Sequence, residues 1–146
     1  MIKTCPDVLV IEDNKLDIDL TLQAFAKCNL SDRVLVLSDG TQALDFLHRT
    51  GSFANRSLED PKLIILDLKL PLVDGDYILR QIASDPATKL IPLVIVTSSR
   101  EPRDIYSTYK LGANSYVVKP VNSDEYIETM RKVAGYWLSI NQVVIA

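Results

Sequence analysis

Short apolar runs, separated by longer segments with helical periodicity, set the pattern of this chain. Each run has three or four consecutive apolar residues without polar alternation, which is typical of strands buried on both faces of a parallel sheet. Between the runs, apolar residues recur at spacings of three and four, as on one face of a helix. The pattern predicts five strands, at Val8–Ile11, Val34–Leu37, Leu63–Leu66, Leu93–Val96 and Tyr116–Val118.

A helix is predicted after each strand. Ser123 is the predicted N-cap of the fifth helix, and Gly112 is the predicted end of the fourth. Alternating strands and helices favour right-handed crossovers, so the expected fold class is α/β. We expect a single doubly wound, five-stranded parallel sheet of order 2-1-3-4-5, with a flavodoxin-like arrangement of five helices. The apolar helix positions are Leu16, Leu20 and Ala24; Ala43, Leu44 and Leu47; Ile78 and Ile82; Ile105 and Tyr109; and Ile127, Met130, Ala134 and Trp137.

Composition narrows the class of protein. The 146 residues are 47% apolar and 24% charged, which indicates one globular domain. A net charge of -3 offers no general attraction to nucleic acid, so no nucleic-acid partner is expected. Cys5 and Cys28 lack metal-ligand or CxxC spacing, and no apolar run reaches the roughly 18–20 residues that span a membrane. With no signal peptide recognised, we expect a cytoplasmic location and a single domain over residues 1–146, with 139–146 as a C-terminal tail and no output domain.

Carboxylates follow two of the predicted strands. Glu12 and Asp13 end the first strand, and Asp67 ends the third. In a sheet of order 2-1-3-4-5 these strands are neighbours, so the three side chains converge at the switch point where such sheets bind ligands. Clustered carboxylates either rise in pKa or hold a cation, and Mg²⁺ fits best, with the backbone carbonyl of Lys69 completing the set. Mn²⁺ or Ca²⁺ can substitute, and three unrelated turn carboxylates are the alternative.

A hydroxyl and a positively charged group follow the fourth and fifth predicted strands. Thr97 offers a hydroxyl and Lys119 an ammonium. Taken separately, Lys119 could form an ordinary salt bridge and Thr97 could cap the end of its strand. Taken together with the carboxylates, the two residues favour a phosphoryl-transfer site. In such a site a carboxylate becomes an acyl phosphate while the cations neutralise the developing charge. A cis Lys119-Pro120 bond would turn the lysine into the site, and the resemblance of these residues to a known family, more than their chemistry, makes this bond a cis candidate.

With these residues in this order, the chain resembles a two-component response-regulator receiver domain from Val8 to about Leu138. The motifs that carry the resemblance are Glu12-Asp13-Asn14, Asp67 with Leu70-Pro71 and Asp74-Gly75, Thr97-Ser98, Gly112-Ala113 and Lys119-Pro120. The resemblance implies a signalling protein rather than an enzyme. It implies these roles: phosphoacceptor for Asp67, Mg²⁺ binding for Glu12, Asp13, Asp67 and the Lys69 carbonyl, switch hydroxyl for Thr97, phosphoryl contact for Lys119, and rotamer switch for Tyr116.

A narrower resemblance concerns the partners. Stand-alone receivers paired with phytochrome-type histidine kinases share several segments with this chain, which implies a light-sensing sensor kinase as phosphodonor. We expect phosphorylation to reshape the face of the fourth helix, fifth strand and fifth helix, which is the candidate surface for a homodimer. The apolar end Val143–Ala146 is a further candidate contact. The shared segments are residues 14–21, Asp45-Phe46-Leu47, Gly51–Asn55 and Tyr136-Trp137-Leu138.

Three other classes of protein fit less well. A haloacid-dehalogenase-type phosphohydrolase needs a second carboxylate two residues after its nucleophile, where this chain has Lys69. A nucleotide or flavin binder needs a Gly- or Ser-rich loop after the first strand, where the acidic Glu12-Asp13 pair stands. A receiver-like adaptor without phosphorylation would not need the acidic residues, Thr97 and Lys119 together. His48 has no histidine partner in the sequence and is interpreted as a surface or packing residue.

Overall fold

Five parallel strands form the centre of the computed structural model, which describes residues 5–144. Their spatial order is β2-β1-β3-β4-β5, so the predicted order is confirmed. β1 pairs with both β2 and β3, and Ile11 lies opposite Leu37 on one side and Leu66 on the other. The strands are β1 (Val8–Ile11), β2 (Val34–Leu37), β3 (Leu63–Leu66), β4 (Leu93–Thr97) and β5 (Ser115–Val118), within one residue of prediction.

Five α-helices connect and follow the strands. Gly112 ends the fourth with φ 118°, a left-handed conformation that glycine adopts without strain. The fifth helix does begin at Ser123, but its cap is Asn122, whose side chain accepts a hydrogen bond from the Glu125 N–H at 3.0 Å. The helices are α1 (Lys15–Ala26), α2 (Gly40–His48), α3 (Gly75–Ser84), α4 (Pro102–Leu111) and α5 (Ser123–Gly135), with a 3-10 turn at Gly51–Phe53 and a π-helical turn at Tyr136–Ile140.

The core has two layers, one on each face of the sheet. Every residue of β1 and β3 is buried, as their unbroken apolar runs predict. One layer packs α2 and α3 against the sheet, and the other packs α1 and α5. Leu16 was expected on the buried face of α1, yet 62% of it is exposed. It lies in the first turn, near the carboxyl edge of the sheet, and burial in α1 begins at Leu20.

Further predictions from the sequence concern membrane-spanning segments and the C-terminal end of the chain. Within residues 5–144, no helix combines the length and apolar character needed to cross a bilayer. Helical conformation continues past α5 as far as Ile140, so the segment expected to be a tail starts inside the π-helical turn. Of the apolar end Val143–Ala146, the last two residues lie outside the described part of the chain.

Candidate functional site

Three carboxylates meet where β1 and β3 end. Because Ile11 and Leu66 are partners in the sheet, the residues that follow them, Glu12 and Asp67, leave it side by side. Glu12, Asp13 and Asp67 each offer a ligand oxygen, and these oxygens all lie within 4.8 Å of one another. Glu12 and Asp67 are buried whereas Asp13 is exposed, so the cluster opens to solvent on one side. Adjacent strand ends thus produce the convergence that the sequence predicts.

The electrostatics of this cluster favour a cation. Burial and the hydrogen-bonded neighbour Asp67 raise the pKa of Glu12 to about 7, although Lys119 opposes the rise. One Glu12 oxygen also accepts backbone N–H groups from Asp13 at 3.1 Å and Asn14 at 3.2 Å, which fix the carboxylate in place. An all-oxygen donor set with excess negative charge suits a hard divalent ion such as Mg²⁺. The residues present therefore fit the metal that the sequence implies.

Lys119 joins the cluster from the end of β5. Its Nζ lies 2.6 Å from Glu12 Oε1, 2.7 Å from Asp17 Oδ2 and 3.1 Å from Asp67 Oδ2. Burial alone would lower the pKa of this ammonium, but the hydrogen bonds to Asp17 and Glu12 outweigh it, so the pKa is raised and the charge retained. The Lys119-Pro120 peptide bond is trans, and the prediction of a cis bond was wrong. The lysine side chain reaches all three carboxylates from the trans backbone, which X-Pro bonds generally prefer.

Thr97 and Tyr116 both contact the loop that follows β4. Thr97 is 1% exposed, and its hydroxyl accepts the Ser99 N–H at 3.3 Å. Tyr116 is half-buried and its hydroxyl donates to the Ser99 carbonyl at 2.9 Å. The Ser99 hydroxyl donates in turn to Asp104 in the first turn of α4 at 2.6 Å. A chain of hydrogen bonds therefore connects β5, the loop and α4.

An open cavity of about 390 Å³ gives access to Asp67. Thr97, Tyr116 and the buried Glu12 do not line it, whereas Lys69, which was expected to offer its carbonyl, does. The Lys69 N–H also lies 3.4 Å from Asp67 Oδ1. The lining residues are Asp13, Asn14, Asp17, Asp67, Lys69, Ser98, Lys119, Pro120 and Val121.

Asp17 is the residue of this site that sequence reasoning missed. Asn14 is the N-cap of α1, and its side chain accepts the Asp17 N–H at 3.0 Å. Asp17 is therefore the third residue after the cap, in the first turn of α1. The signal that could have identified Asp17 was the N-cap Asn14, which comes directly after Glu12 and Asp13 and therefore starts α1 beside the acidic end of β1.

Several known proteins are similar to this chain over most of its length. FilR2 of Methanothrix harundinacea, a probable methanogenesis regulatory protein, is 36% identical over 135 residues, covering 92% of this chain and 85% of FilR2. The response regulator Rcp1 of Synechocystis is 32% identical, covering 90% of this chain and 88% of Rcp1. The solved Mn²⁺-bound form of Rcp1 superposes with a TM-score of 0.86 over 94% of this chain and 98% of that structure, at 30% identity.

A phosphorylated relative is similar in structure over almost the whole chain. The phosphorylated cyanobacterial phytochrome response regulator RcpA has a TM-score of 0.90 and 34% identity, covering 97% of this chain and 100% of RcpA. The family model for the response regulator receiver domain matches residues 8–131. That match spans the sheet, the acidic cluster and Lys119, and the resemblance drawn from the motifs is confirmed. The chain belongs to the response-regulator receiver domain family.

Proposed function

We propose that Asp67 is the residue of this response regulator that accepts the phosphoryl group. The observation that carries the proposal is the position of its carboxylate, which faces an open cavity and lies 3.1 Å from the Lys119 ammonium. A cavity that exposes the Asp67 carboxylate beside the Lys119 ammonium suits attack on a phosphorus atom, because that positive charge neutralises the incoming oxygens. The protein then acts as a phosphoacceptor in signalling rather than as an enzyme that turns over a substrate.

The transfer forms one bond and breaks one. An Asp67 oxygen forms a bond to phosphorus, the bond between phosphorus and the histidine nitrogen of the donor breaks, and its electron pair returns to the imidazole. Lys119 contacts the transferred oxygens. Glu12, Asp13, Asp67 and the Lys69 carbonyl would hold Mg²⁺, with Mn²⁺ or Ca²⁺ as substitutes, and the ion would neutralise charge on the phosphoryl oxygens.

We propose that phosphorylation of Asp67 changes the loop after β4 and, through it, the surface formed by α4, β5 and α5. A phosphoryl group on Asp67 offers the Thr97 hydroxyl an acceptor for its proton, and movement of the side chain toward that acceptor would break the bond that the hydroxyl now accepts from the Ser99 N–H. Ser99 also accepts from Tyr116 and donates to Asp104, so a shift of this loop changes both partners together. Tyr116 thus acts as the aromatic switch, and the face of α4, β5 and α5 changes shape.

A phytochrome-type sensor histidine kinase is the proposed phosphodonor. The similarity to Rcp1 and RcpA supports this choice, because RcpA is a phytochrome response regulator. Homodimer formation through α4, β5 and α5 is also proposed, with exposed aromatic side chains as support: Tyr106 is 68% exposed and Tyr109 48%. No nucleic-acid partner and a cytoplasmic location remain predictions. Light scattering with and without beryllofluoride tests the dimer, and a monomer mass in both conditions would contradict it.

Intact mass spectrometry after incubation with acetyl phosphate and Mg²⁺ tests the acceptor. Wild-type protein should gain the mass of one phosphoryl group, and Asp67→Asn should gain none. Asp74→Asn is the matched control, because it neutralises an aspartate of the same loop whose side chain caps α3, and asparagine caps a helix equally well. An adduct of equal yield on the Asp67→Asn protein would refute the assignment. Chelation of the divalent ion should slow the reaction of wild type and control alike.

A further inference from the structure

The Lys119 ammonium has three N–H donors and three carboxylate partners, one of which comes from α1. The partners are Glu12, Asp17 and Asp67, at 2.6, 2.7 and 3.1 Å from Nζ. A lysine ammonium donates three hydrogen bonds and no more, so every donor is in use. Asp17 lies outside the group of ligand oxygens formed by Glu12, Asp13 and Asp67. Its carboxylate therefore contacts the lysine without belonging to the metal cluster.

The three contacts differ in length, and the longest is the one that phosphorylation changes. Asp67 receives the phosphoryl group, so the donor now directed at Asp67 becomes available to a phosphoryl oxygen attached to it. The two shorter contacts, to Glu12 and Asp17, can persist while this exchange takes place. Glu12 is also a proposed metal ligand, which leaves Asp17 as the partner dedicated to Lys119. A lysine on its flexible four-carbon stem needs such a partner to hold one position.

Asp17 is itself held firmly. Asn14 accepts its backbone N–H, and the helix beyond it is anchored by buried side chains that include Leu20 and Phe25. The Asp17 side chain is 18% exposed and that of Lys119 is 11% exposed, so their contact is largely shielded from water. Shielding and a fixed helix start make this ion pair stronger and better oriented than one on the open surface.

We propose that Asp17 is a positioning residue for phosphoryl transfer, holding the Lys119 ammonium at the place where the phosphoryl oxygens arrive. The inference rests on the proposed function, in which Asp67 accepts the group and Lys119 contacts it. In the test reaction with acetyl phosphate, an Asp67 oxygen bonds to phosphorus, the bond between phosphorus and the acetyl oxygen breaks, and acetate leaves with the electron pair. Asp17 touches none of these atoms and acts only through Lys119.

The first test compares phosphorylation rates of substituted proteins. Asp17→Asn should slow adduct formation from acetyl phosphate roughly three- to tenfold, since a neutral amide accepts from an ammonium more weakly than a carboxylate. The loss should appear in the maximal rate rather than in the Mg²⁺ concentration for half-maximal rate. Asp17→Glu, which keeps the charge, should recover part of the rate. Asp19→Asn removes the same charge from an exposed position of α1 and should match wild type.

A second test shows whether Asp17 acts through Lys119. Asp17→Asn should have almost no further effect on the rate in a Lys119→Ala background. Carbon-13 relaxation at the Lys119 Cε should report greater mobility in Asp17→Asn than in wild type or Asp19→Asn, independently of any rate. A full rate loss that persists without the lysine, or an unchanged Lys119 mobility, would overturn the inference.

The proposed function and this inference fail in different ways. Wild-type protein that forms no adduct would overturn both. A normal wild-type rate, abolished by Asp67→Asn but left unchanged by Asp17→Asn, would overturn only the role of Asp17. Urea unfolding of each variant checks that the helix remains intact, because Asp17 lies in the first turn of α1, where a negative charge also favours the helix dipole.

Discussion

Gly75 begins α3 directly against the backbone that carries Asp67. A β-carbon at Gly75 would lie 2.6 Å from both the α-carbon and the carbonyl oxygen of Leu68, and 2.7 Å from the carbonyl oxygen of Asp67. All three atoms belong to the backbone, so no change of rotamer relieves the overlap. The Gly75 N–H also donates to the Leu68 carbonyl at 3.0 Å, which keeps the helix start at this distance. An added methyl group must therefore move the segment after β3 or the helix.

We expect Gly75→Ala to lower the free energy of unfolding by about 2 kcal/mol. Overpacking usually costs about 1–3 kcal/mol, and a clash with backbone belongs at the upper end of that range. Alanine recovers up to about 1 kcal/mol through its better helix propensity. Urea unfolding followed by circular dichroism measures the difference. Phosphorylation from acetyl phosphate should slow as well, because relief of the overlap displaces the backbone of Asp67.

Gly135→Ala is the matched control for this prediction. Gly135 is also helical, with φ -60°, and a β-carbon there would have no neighbour within 4 Å. The substitution should therefore raise the free energy of unfolding by about 0.5–1 kcal/mol. A Gly75→Ala protein with wild-type stability and wild-type phosphorylation would refute the steric reasoning. Equal destabilisation by both substitutions would point to an effect of alanine unrelated to this contact.

Three further predictions concern Mg²⁺ affinity at the acidic cluster and the stability contributed by two hydrogen-bonding side chains. Lys119→Ala should tighten Mg²⁺ binding roughly tenfold, since it removes an ammonium that lies 2.6–3.1 Å from two proposed ligand carboxylates; calorimetry that shows weaker binding would contradict this. Arg33→Met should lower the free energy of unfolding by about 1 kcal/mol at neutral pH, because Arg33 hydrogen-bonds to Asp7 at 2.9 Å. That hydrogen bond lowers the pKa of Asp7 below its ordinary value, so its stabilisation is present above that value and is lost as the pH falls through the folded-state pKa. The difference in urea unfolding between wild type and variant should shrink there. Asn114→Ala should lower the free energy of unfolding by about 1–2 kcal/mol, since the Asn114 side chain accepts the N–H of Leu93, the first residue of β4, at 2.8 Å. Thermal unfolding measures this, and an unchanged midpoint would contradict the prediction.

The strands and the acidic cluster were predictable because their signals are local and strong. Unbroken apolar runs mark strands buried on both faces, and polar residues that follow them must lie at the carboxyl edge. Once β1 and β3 are neighbours, the convergence of Glu12 and Asp67 follows from strand geometry without further information. The motif order then supplied the family, which the comparisons confirm.

Other features depend on side-chain directions that residue spacing does not reveal. Asn122 and Ser123 are both good caps, and only the structure shows that Asn122 bonds to the third residue beyond it. The involvement of Asp17 depends on where the first turn of α1 points, and the partner of Tyr116 is a backbone carbonyl, which any residue at position 99 would offer. The bond before Pro120 is trans, as X-Pro bonds generally prefer, and the lysine side chain reaches the carboxylates from that backbone.

The backbone contact between the ends of β4 and β5 has a consequence for how this protein can diversify. The Lys119 N–H donates to the Thr97 carbonyl at 2.7 Å, so the ladder extends to the residues beside Asp67 and holds their main chain in register. The proposed chemistry at Asp67 would therefore rest on a stiff frame, whereas the loop at residues 98–101 and the outer surface of α4 lie outside this hydrogen-bond ladder. Substitutions on that outer surface can accumulate and alter partner choice while the phosphorylation rate stays constant. Receivers with the same sheet and the same site can thus bind different partner proteins.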